Sequence, residues 1–579
     1  MGKIAEIRAN ERGHGTLHRL TKPCGTVISG SQYNSSMPGF DEVRMHKGLM
    51  SPLSLGSTDF SALRAAGEIY VDKTEMLYGL ARERSKIFLS RPRRFGKSLL
   101  ISTFESLFSY GLRDFKGLAI DKYWKDTGVY TIVKFDFSAL KDFSTAEEFE
   151  KWFNQYLCDY LEVHNYHSPI KNTTDGFRVF SAWLRVQPTN SVVLLIDEYD
   201  APLTSCLDDP ELFRNVQAHL SRLYSVIKEC EGKLRFFLMT GITKFTNTGI
   251  FSAFNIIEDI SLDPRYGTLL GYTENEITSY FTSHIEEAAE VLGISIQELT
   301  SRMRIWYDGF SFDEKAATHV YCPWSVLNFL KKPARGFENY WYSTGGKPTV
   351  LLKYLNGHSL ESIDSFDKPA SVTKDDLSAS REYNSISLNV LLTQAGYLTI
   401  KSLLNSEEFE IGYPNSEVRL SMVRLYADEL LRGVNRLAAG VSVLANKLDN
   451  EDLATVVSYF NKVFNAIDYN RYPIENEASC RSHLQVLLMG GAMVPDVEKH
   501  TALGRSDLEV RTTNRLWVFE IKFAKCTREV EPLLAEAVTQ IQKRRYGIDF
   551  DTKQVIRAAL VFNAESRQFD AFEEVTQTN

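Results

Sequence analysis

The chain has 579 residues, with 66 Lys and Arg against 74 Asp and Glu and a formal net charge of −8. Hydrophobic residues make up 44% and charged residues 24%, which is enough apolar material for packed cores and too little charge for a disordered, solvating chain. The acidic balance excludes binding to nucleic acid through overall charge, so any such binding rests on a local basic patch.

At roughly 100–200 residues per domain, the length suggests about three or four domains. The seven cysteines are scattered, none in a C-x-x-C pattern, as expected for reduced thiols in a cytosol. No apolar stretch approaches the ~18–20 residues that span a bilayer, so no membrane partner is expected. The first residues show no apolar run after a basic end, and MGKIAE lacks the Ser or Thr of a myristoylation signal. Met45 and Met50 precede the first ordered-looking segment, which leaves a later true start open.

Residues 1–50 are polar and Gly/Ser-rich and read as a loose tail. From Leu55 to about Arg265, strand-like and helix-like segments alternate. Ile87–Ser90 is a short apolar run before a Gly-Lys-Ser turn and a helical stretch, Leu99–Phe108. Thr131–Ser138 reads as a strand, and Ser144 with Glu147 spells a capping box before a helix. Val192–Asp197 and Leu234–Gly241 are continuous apolar runs, as expected of strands covered on both faces of a parallel sheet. This alternation predicts a doubly wound α/β domain. From Gly271 to about Leu330 the pattern turns helical, opening on a second capping box at Thr273 and Glu276. Residues 346–470 read as mixed and mostly helical, including Val418–Leu448. From about Tyr472 the order is helix (Glu477–Met489), strand (Asp507–Arg511), strand (Leu516–Phe523), helix (Glu529–Arg544), strand (Val555–Phe562).

Two stretches carry chemistry. In the first, Gly96-Lys97-Ser98 lies between a strand and a helix. A triphosphate needs backbone N–H groups at a helix N-terminus, a lysine for the outer phosphates and a hydroxyl on Mg²⁺. The full pattern G-x-x-x-x-G-K-[ST] is incomplete, because Arg91 occupies the first glycine position. A second half completes the case: Asp197 and Glu198 end an apolar strand, where the first acid can hold hydrated Mg²⁺ and the second can activate water. The competing reading, two acids that cap the next helix, fits the five preceding apolar residues less well. Thr240 ends the next strand and either sits between the halves of the site or makes local backbone bonds. Arg93, Arg94 and Arg265 are candidate charge stabilisers, though a solvated or structural arginine is the commoner case. The expected nucleotide-contacting set is Arg94, Phe95, Gly96, Lys97, Ser98, Leu99 and Thr240, with Ser98 and Asp197 on the metal.

In the second stretch, Asp507 opens one strand and Glu520 and Lys522 share a face of the next. Two carboxylates can hold a divalent metal against a phosphodiester, and the lysine can orient water or steady the developing charge. The bland alternative is a solvated face with a cross-strand ion pair. Glu477 on the preceding helix is the expected further metal ligand, with Glu475 competing and Glu498 a further acid upstream. Gln540 follows on the next helix. Lys525, Arg528, Lys543, Arg544 and Arg545 supply local positive charge. His164 with His167, and Cys480 with His483, read as loop or packing residues rather than zinc ligands.

The phrases IYVDKTEMLYGL, RPRRFGKSLL, VVLLIDEYDAPL, MTGITKF, LLGYTENEI, WYDGFSF and VYCPWSVLNFL, followed by GRSDLEV, VFEIKFAK and AVTQIQKRRYG, resemble the predicted AAA-ATPase-like proteins of bacteria and their relatives. Those proteins typically carry a C-terminal PD-(D/E)XK nuclease-like domain. The resemblance runs over roughly residues 51–570, in the family's order. It implies a P-loop NTPase fold with a helical lid, and the R-P-R-R-F-G-K-S form of the loop is itself typical. Lys97, Ser98, Asp197, Glu198, Asp507, Glu520, Lys522 and Gln540 carry over by motif.

The expected architecture is therefore α/β throughout: a tail (1–50), a P-loop AAA-ATPase-like domain (51–268), a helical lid (269–345), a mostly helical connector (346–470) and a PD-(D/E)XK restriction-endonuclease-like domain (471–579). The expected activity is ATP-dependent, metal-dependent cleavage of nucleic acid, with ATP and Mg²⁺ as cofactors and Mn²⁺ as a substitute at the second site. Mobile-element or defence biology is the expected setting. The rival is a nucleotide-dependent switch whose nuclease-like domain binds nucleic acid or protein without cutting. A homo-oligomer is compatible with either, although no arginine is convincingly a trans-acting finger.

Overall fold

A computed structural model describes residues 50–576. Outside the description within that span are 84, 171–172, 245–256, 344–369, 379–386, 423–440, 545–553 and positions 468, 470, 471, 491, 492, 494, 495, 498, 499, 502 and 503. The tail reading of residues 1–50 falls almost wholly outside it, as do Glu498 and Arg545.

The first sheet holds β1 (Lys86–Ser90), β2 (Thr131–Asp136), β3 (Val192–Asp197), β4 (Leu234–Gly241) and β5 (Glu258–Asp259), in the order β2-β3-β4-β1-β5. Its pairings are parallel. Every residue of β3 and β4 is buried, because helices cover both faces. The period-two split is clean: Ile87, Leu89, Val193 and Leu195 join one core with Phe104 and Leu107 of the helix Lys97–Tyr110. Phe88, Val192, Leu194 and Ile196 join the other, with Phe153, Trp183 and Leu220 from helices Ala146–Val163, Gly176–Arg185 and Pro210–Glu229. Because the strands run parallel, the carboxyl ends of β1, β3 and β4 open on one edge, where ligands of such sheets bind. β4 lies between β1 and β3, so Thr240 at its end stands between the lysine loop and the acid turn.

The lid helices Glu274–Tyr280, Thr282–Leu292, Ile296–Tyr307 and Pro323–Lys331 share a separate core around Phe281, Leu299 and Tyr307. The capping box at Thr273 and Glu276 forms as expected. The earlier one is shifted by a residue: Thr145, not Ser144, caps Ala146–Val163, and Glu148 rather than Glu147 reaches back to the Ser144 N–H. Among its described residues the middle region combines helices with strands. It contains an antiparallel sheet, β6 (Ala370–Thr373), β7 (Thr399–Asn405) and β8 (Glu408–Gly412), in the order β6-β8-β7. Its strands are short and half-exposed, so they lack the long apolar runs that betray the first sheet. Of the helical reading over Val418–Leu448, positions 423–440 lie outside the described residues, and Val441–Asn450 is helical.

The C-terminal sheet orders β15 (Gln568–Glu574), β14 (Gln554–Asn563), β13 (Arg515–Ala524), β12 (Leu508–Arg511) and β9 (Asp496–Val497). A separate pair, β10 (His500–Thr501) and β11 (Gly504–Arg505), lies between β9 and β12 in sequence. β9 and β15 extend the sheet beyond the three strands expected. Helix Glu477–Gly490 and helix Val530–Arg544 both pack on β13. Leu516 and Val518 meet Ala537 and Ile541 of the second helix, while Trp517, Phe519 and Ile521 join the core that holds Cys480 and Leu484 of the first. Both faces of β13 are thus covered. That same core is continuous with the one beneath the lysine loop.

Two candidate functional sites

The first site is built at the carboxyl ends of β1, β3 and β4. The loop from Arg91 to Gly96 takes two left-handed residues, Arg94 at φ 73° and Gly96 at φ 94°. Glycine suits that region, whereas an L-residue costs roughly 1–2 kcal/mol. Successive N–H groups turned this way form a cradle for anionic oxygens at the start of helix Lys97–Tyr110. The Lys97 ammonium is buried and donates to the carbonyl oxygens of Arg91 (2.9 Å) and Pro92 (3.0 Å). Burial lowers its pKa, and Asp197, Asp200 and Glu198 partly offset that. A cation held only by carbonyls, above an open cradle, fits the outer phosphates of a nucleotide.

Arg91 explains the missing glycine. Its side chain leaves the cradle and is 1% exposed, donating to the carbonyl oxygens of Ser90 (2.9 Å), Ser261 (2.7 Å) and Tyr266 (3.1 Å). Phe95 is likewise turned inward, edge-on to Phe310 and Phe312, so only its backbone is left for a ligand. Arg94 reaches across to the lid, its guanidinium 4.3 Å from the centre of the Trp324 ring.

Asp197 is buried, and its Oδ1 accepts the Thr240 hydroxyl at 2.5 Å and the Glu198 N–H at 3.0 Å. The structure therefore brings Thr240 to the acid rather than leaving it to local backbone bonds. Glu198 is left-handed at φ 49°, an outlier of the kind found at functional turns. Burial raises its pKa against the pull of Lys97. Glu198, Ser98, Leu99 and the cradle line one cavity of about 920 Å³, large enough for a nucleotide. Lid residues Tyr272 and Trp324 form another of its walls. Arg265 is exposed and paired with Asp263 and Glu258, and Arg265 is absent from that cavity's lining.

Sequence reasoning missed what surrounds this loop. Asp200 Oδ2 accepts the N–H groups of Ile242 and Thr243 and the Thr243 hydroxyl, which fixes the backbone after Thr240. Pro92 packs against Gly396, where a Cβ would approach to 2.6 Å. The Trp341 indole donates to the Arg93 carbonyl oxygen (3.3 Å). The motif alone gives no hint of these distant contacts.

The second site lies where β13 meets β12 and the two covering helices. Glu520 is 0% exposed and Lys522 8%, so the reading of a solvated face fails: helix Val530–Arg544 covers it. Asp507 Oδ2 accepts the Ile521 N–H at 2.8 Å, which holds its carboxylate beside Glu520. Both Glu520 carboxylate oxygens are buried without a hydrogen-bond partner. Burial and the Asp507 charge push its pKa up to about 8. The Lys522 ammonium lies 3.5 Å from Glu520 Oε1, 3.6 Å from Glu477 Oε2 and 3.9 Å from Glu536 Oε1. Burial opposes its charge, but Glu477, Glu520 and Asp507 outweigh that and raise its pKa. Burial also raises the pKa of Glu477, against Lys522.

Of the two helix acids, Glu477 is the one beside Lys522, and Glu475 is exposed. Glu536 went unnoticed in the sequence because it sits on an ordinary charged helix. Gln540 is half-buried one turn beyond it. Arg481, one turn after Glu477, places a guanidinium nitrogen 3.9 Å from Asp507. Lys525, Arg528 and Lys543 are exposed. Among the described residues no group of three His, Cys, Asp or Glu side chains is placed to hold a metal ion, which applies equally to His164 with His167 and to Cys480 with His483. A buried carboxylate that has an ammonium at 3.5 Å, no hydrogen bond and a second carboxylate beside it nonetheless suits a further cation. Also among the described residues, no helix is long and apolar enough to cross a membrane.

Residues 54–251 match the family model described as predicted AAA-ATPase, and residues 476–572 match that of the PD-(D/E)XK nuclease superfamily. The chain thus joins an AAA-ATPase-like domain to a nuclease-superfamily domain, a pairing that points to a hydrolase. A protein of Azotobacter chroococcum mcd 1, described as an uncharacterized protein in the vnfD 5' region, is 28% identical over 510 residues, 86% of this chain and 93% of the relative.

Proposed function

We propose that the chain is an ATP-dependent nuclease, with its two chemistries divided between residues 51–268 and 471–579 and joined through the lid (269–345) and the connector (346–470). The observation that carries this reading is the Glu520 carboxylate, buried with no hydrogen-bond partner, beside Asp507 and in an ion pair with Lys522. In the first site Lys97 leaves the Arg91 and Pro92 carbonyls for the outer phosphates of ATP, and the loop N–H groups take the remaining oxygens. Ser98 and Asp197 are the residues to hold Mg²⁺. Glu198 accepts the proton of the attacking water, and Thr240 keeps Asp197 oriented. In the second site Asp507, Glu520 and Glu477 are the residues to hold Mg²⁺ or Mn²⁺. When bound, that cation supplies Lewis acidity toward a phosphodiester. Lys522 orients water or steadies charge on the phosphorus oxygens, and Gln540 is the further polar residue of this centre.

The test is an exchange of losses. Lys522→Ala removes metal-dependent cleavage of DNA or RNA by roughly 10²–10³-fold and spares ATP hydrolysis, and Lys97→Ala removes hydrolysis on the same scale. Equal cleavage by Lys522→Ala and the unaltered protein defeats the nuclease assignment.

A second reading, a nucleotide-dependent switch whose C-terminal domain binds without cutting, draws on the absence of a three-ligand metal group among the described residues. Calorimetric titration with Mn²⁺ separates the two: heat that vanishes in Asp507→Ala supports a working metal centre, and no heat in either protein supports the switch.

A further inference from the structure

Beneath the nucleotide loop lies a second, small cavity of about 40 Å³, walled by Ser90, Arg91 and Pro92, by Lys244, by Phe310–Phe312 and by Gln394, Gly396 and Leu398–Ile400 of the middle region. It is distinct from the nucleotide cavity, and the mechanism above makes no use of it. Two of its walls present buried polar atoms that have no hydrogen-bond partner, Arg91 Nε and Ser311 Oγ. The charge around it is unbalanced. Lys244 pairs with Asp259 at 2.6 Å. Arg91 is held only by carbonyl oxygens and the Phe312 ring, and among the described residues no carboxylate lies within ion-pair distance of it. Of these two buried cations, only Lys244 has a carboxylate in an ion pair.

A buried charge without a counter-charge is expensive, and a buried N–H without an acceptor adds to the cost. Burial alone pushes the Arg91 pKa down to about 9, with Asp259 the one charge opposing the fall. A water molecule needs roughly 10–15 Å³ of such space, so the cavity admits a few atoms and excludes a nucleotide or sugar. Water satisfies the donors but leaves the charge uncancelled; a monovalent anion of halide size does both.

We propose that this cavity is a binding site for a small monovalent anion of the chloride class, held by Arg91 Nε, the Ser311 hydroxyl and the field of Lys244. The occupant bridges the root of the nucleotide loop to the middle region, because Arg91 belongs to one and Ser311 packs against Thr399 of the other through the Ser311 N–H to Thr399 Oγ1 bond (2.8 Å).

Crystals of the full chain grown in sodium bromide test this directly. An anomalous bromide peak within hydrogen-bond distance of Arg91 Nε and Ser311 Oγ supports the site; a peak-free cavity filled by water overturns it. In solution, replacing chloride by a bulky organic anion at constant ionic strength lowers the melting temperature of the unaltered protein. Arg91→Leu is apt to unfold, so the comparison uses Ser311→Ala, which removes one ligand and no internal side-chain bond. Its half-saturating chloride concentration rises roughly two- to tenfold, the value of one hydrogen bond. An identical chloride dependence in both proteins overturns the proposal.

Discussion

The two sites set a lysine among strand-end acids in opposite ways. Around Lys97 the nearest partners are backbone carbonyls, and the loop adds Arg93 and Arg94. The result is a lysine whose direct bonds go to neutral oxygens, with Asp197, Asp200 and Glu198 acting from further off. Around Lys522 three carboxylates lie within 4 Å, and a fourth, Asp507, raises the pKa of Glu520. The result is a pocket short of positive charge. One motif-level ingredient, an acid pair with a lysine, thus takes two different electrostatic settings, which we read as an anion site and a cation site. What decides is which partner the backbone places beside the lysine.

The sharpest way to break this contrast is at the acid turn. Glu198→Gln is expected to cut ATP hydrolysis by roughly 10²–10³-fold with nucleotide affinity retained, since the acid acts on water and not on the phosphates. Thr240→Val, which frees one Asp197 oxygen, costs roughly tenfold in the same assay. Loss of nucleotide binding in Glu198→Gln, measured by equilibrium titration, contradicts the division of labour.

A second comparison uses acidity. Glu520 and Glu417 both have pKa values near 8, and both are 0% exposed. Glu417 joins the lid to the connector, accepting the Ser325 hydroxyl and the Trp341 N–H. In each, the folded pKa stands above the unfolded value. The folded state therefore binds more protons between about pH 4.5 and pH 8, and stability falls as pH rises through that window. In chelator, Glu520→Gln is expected to remove on the order of 1–3 kcal/mol of that loss, and Mn²⁺ should remove it in the unaltered protein. Glu417→Gln, already well hydrogen-bonded, is expected to recover about 1 kcal/mol, and no metal should mimic it. Denaturant midpoints at pH 6 and pH 8 measure both; a Mn²⁺ effect of equal size in Glu520→Gln erases the distinction.

Much of this was legible in the sequence. Continuous apolar runs marked β3 and β4 because a strand covered on both faces has no other way to be written. The Gly96-Lys97-Ser98 turn, the Asp197-Glu198 pair and the Glu520-x-Lys522 spacing are local, so their chemistry shows in a few consecutive residues. What stayed hidden depends on distant contacts. Arg91 looked like a defect in the loop until Ser261 and Tyr266 supplied its acceptors. The solvated-face alternative for Glu520 could be dismissed only once helix Val530–Arg544 was seen to cover it. Glu536 and Glu417 are unremarkable letters whose importance comes from what folds against them. The sheet β6-β8-β7 escaped notice because half-exposed strands carry weak patterns.

The packing of Pro92 on Gly396, of Phe95 on Phe310 and Phe312, and of Trp341 on the Arg93 carbonyl has a consequence for dissecting the molecule. A fragment cut after residue 268 keeps every motif letter of the nucleotide site yet strips the apolar and hydrogen-bonding support from three of its loop residues. The catalytic module, in the sense of a piece that keeps its shape alone, therefore extends at least to Gly396. Of that piece, residues 252–396 lie beyond the stretch that matches the predicted AAA-ATPase model.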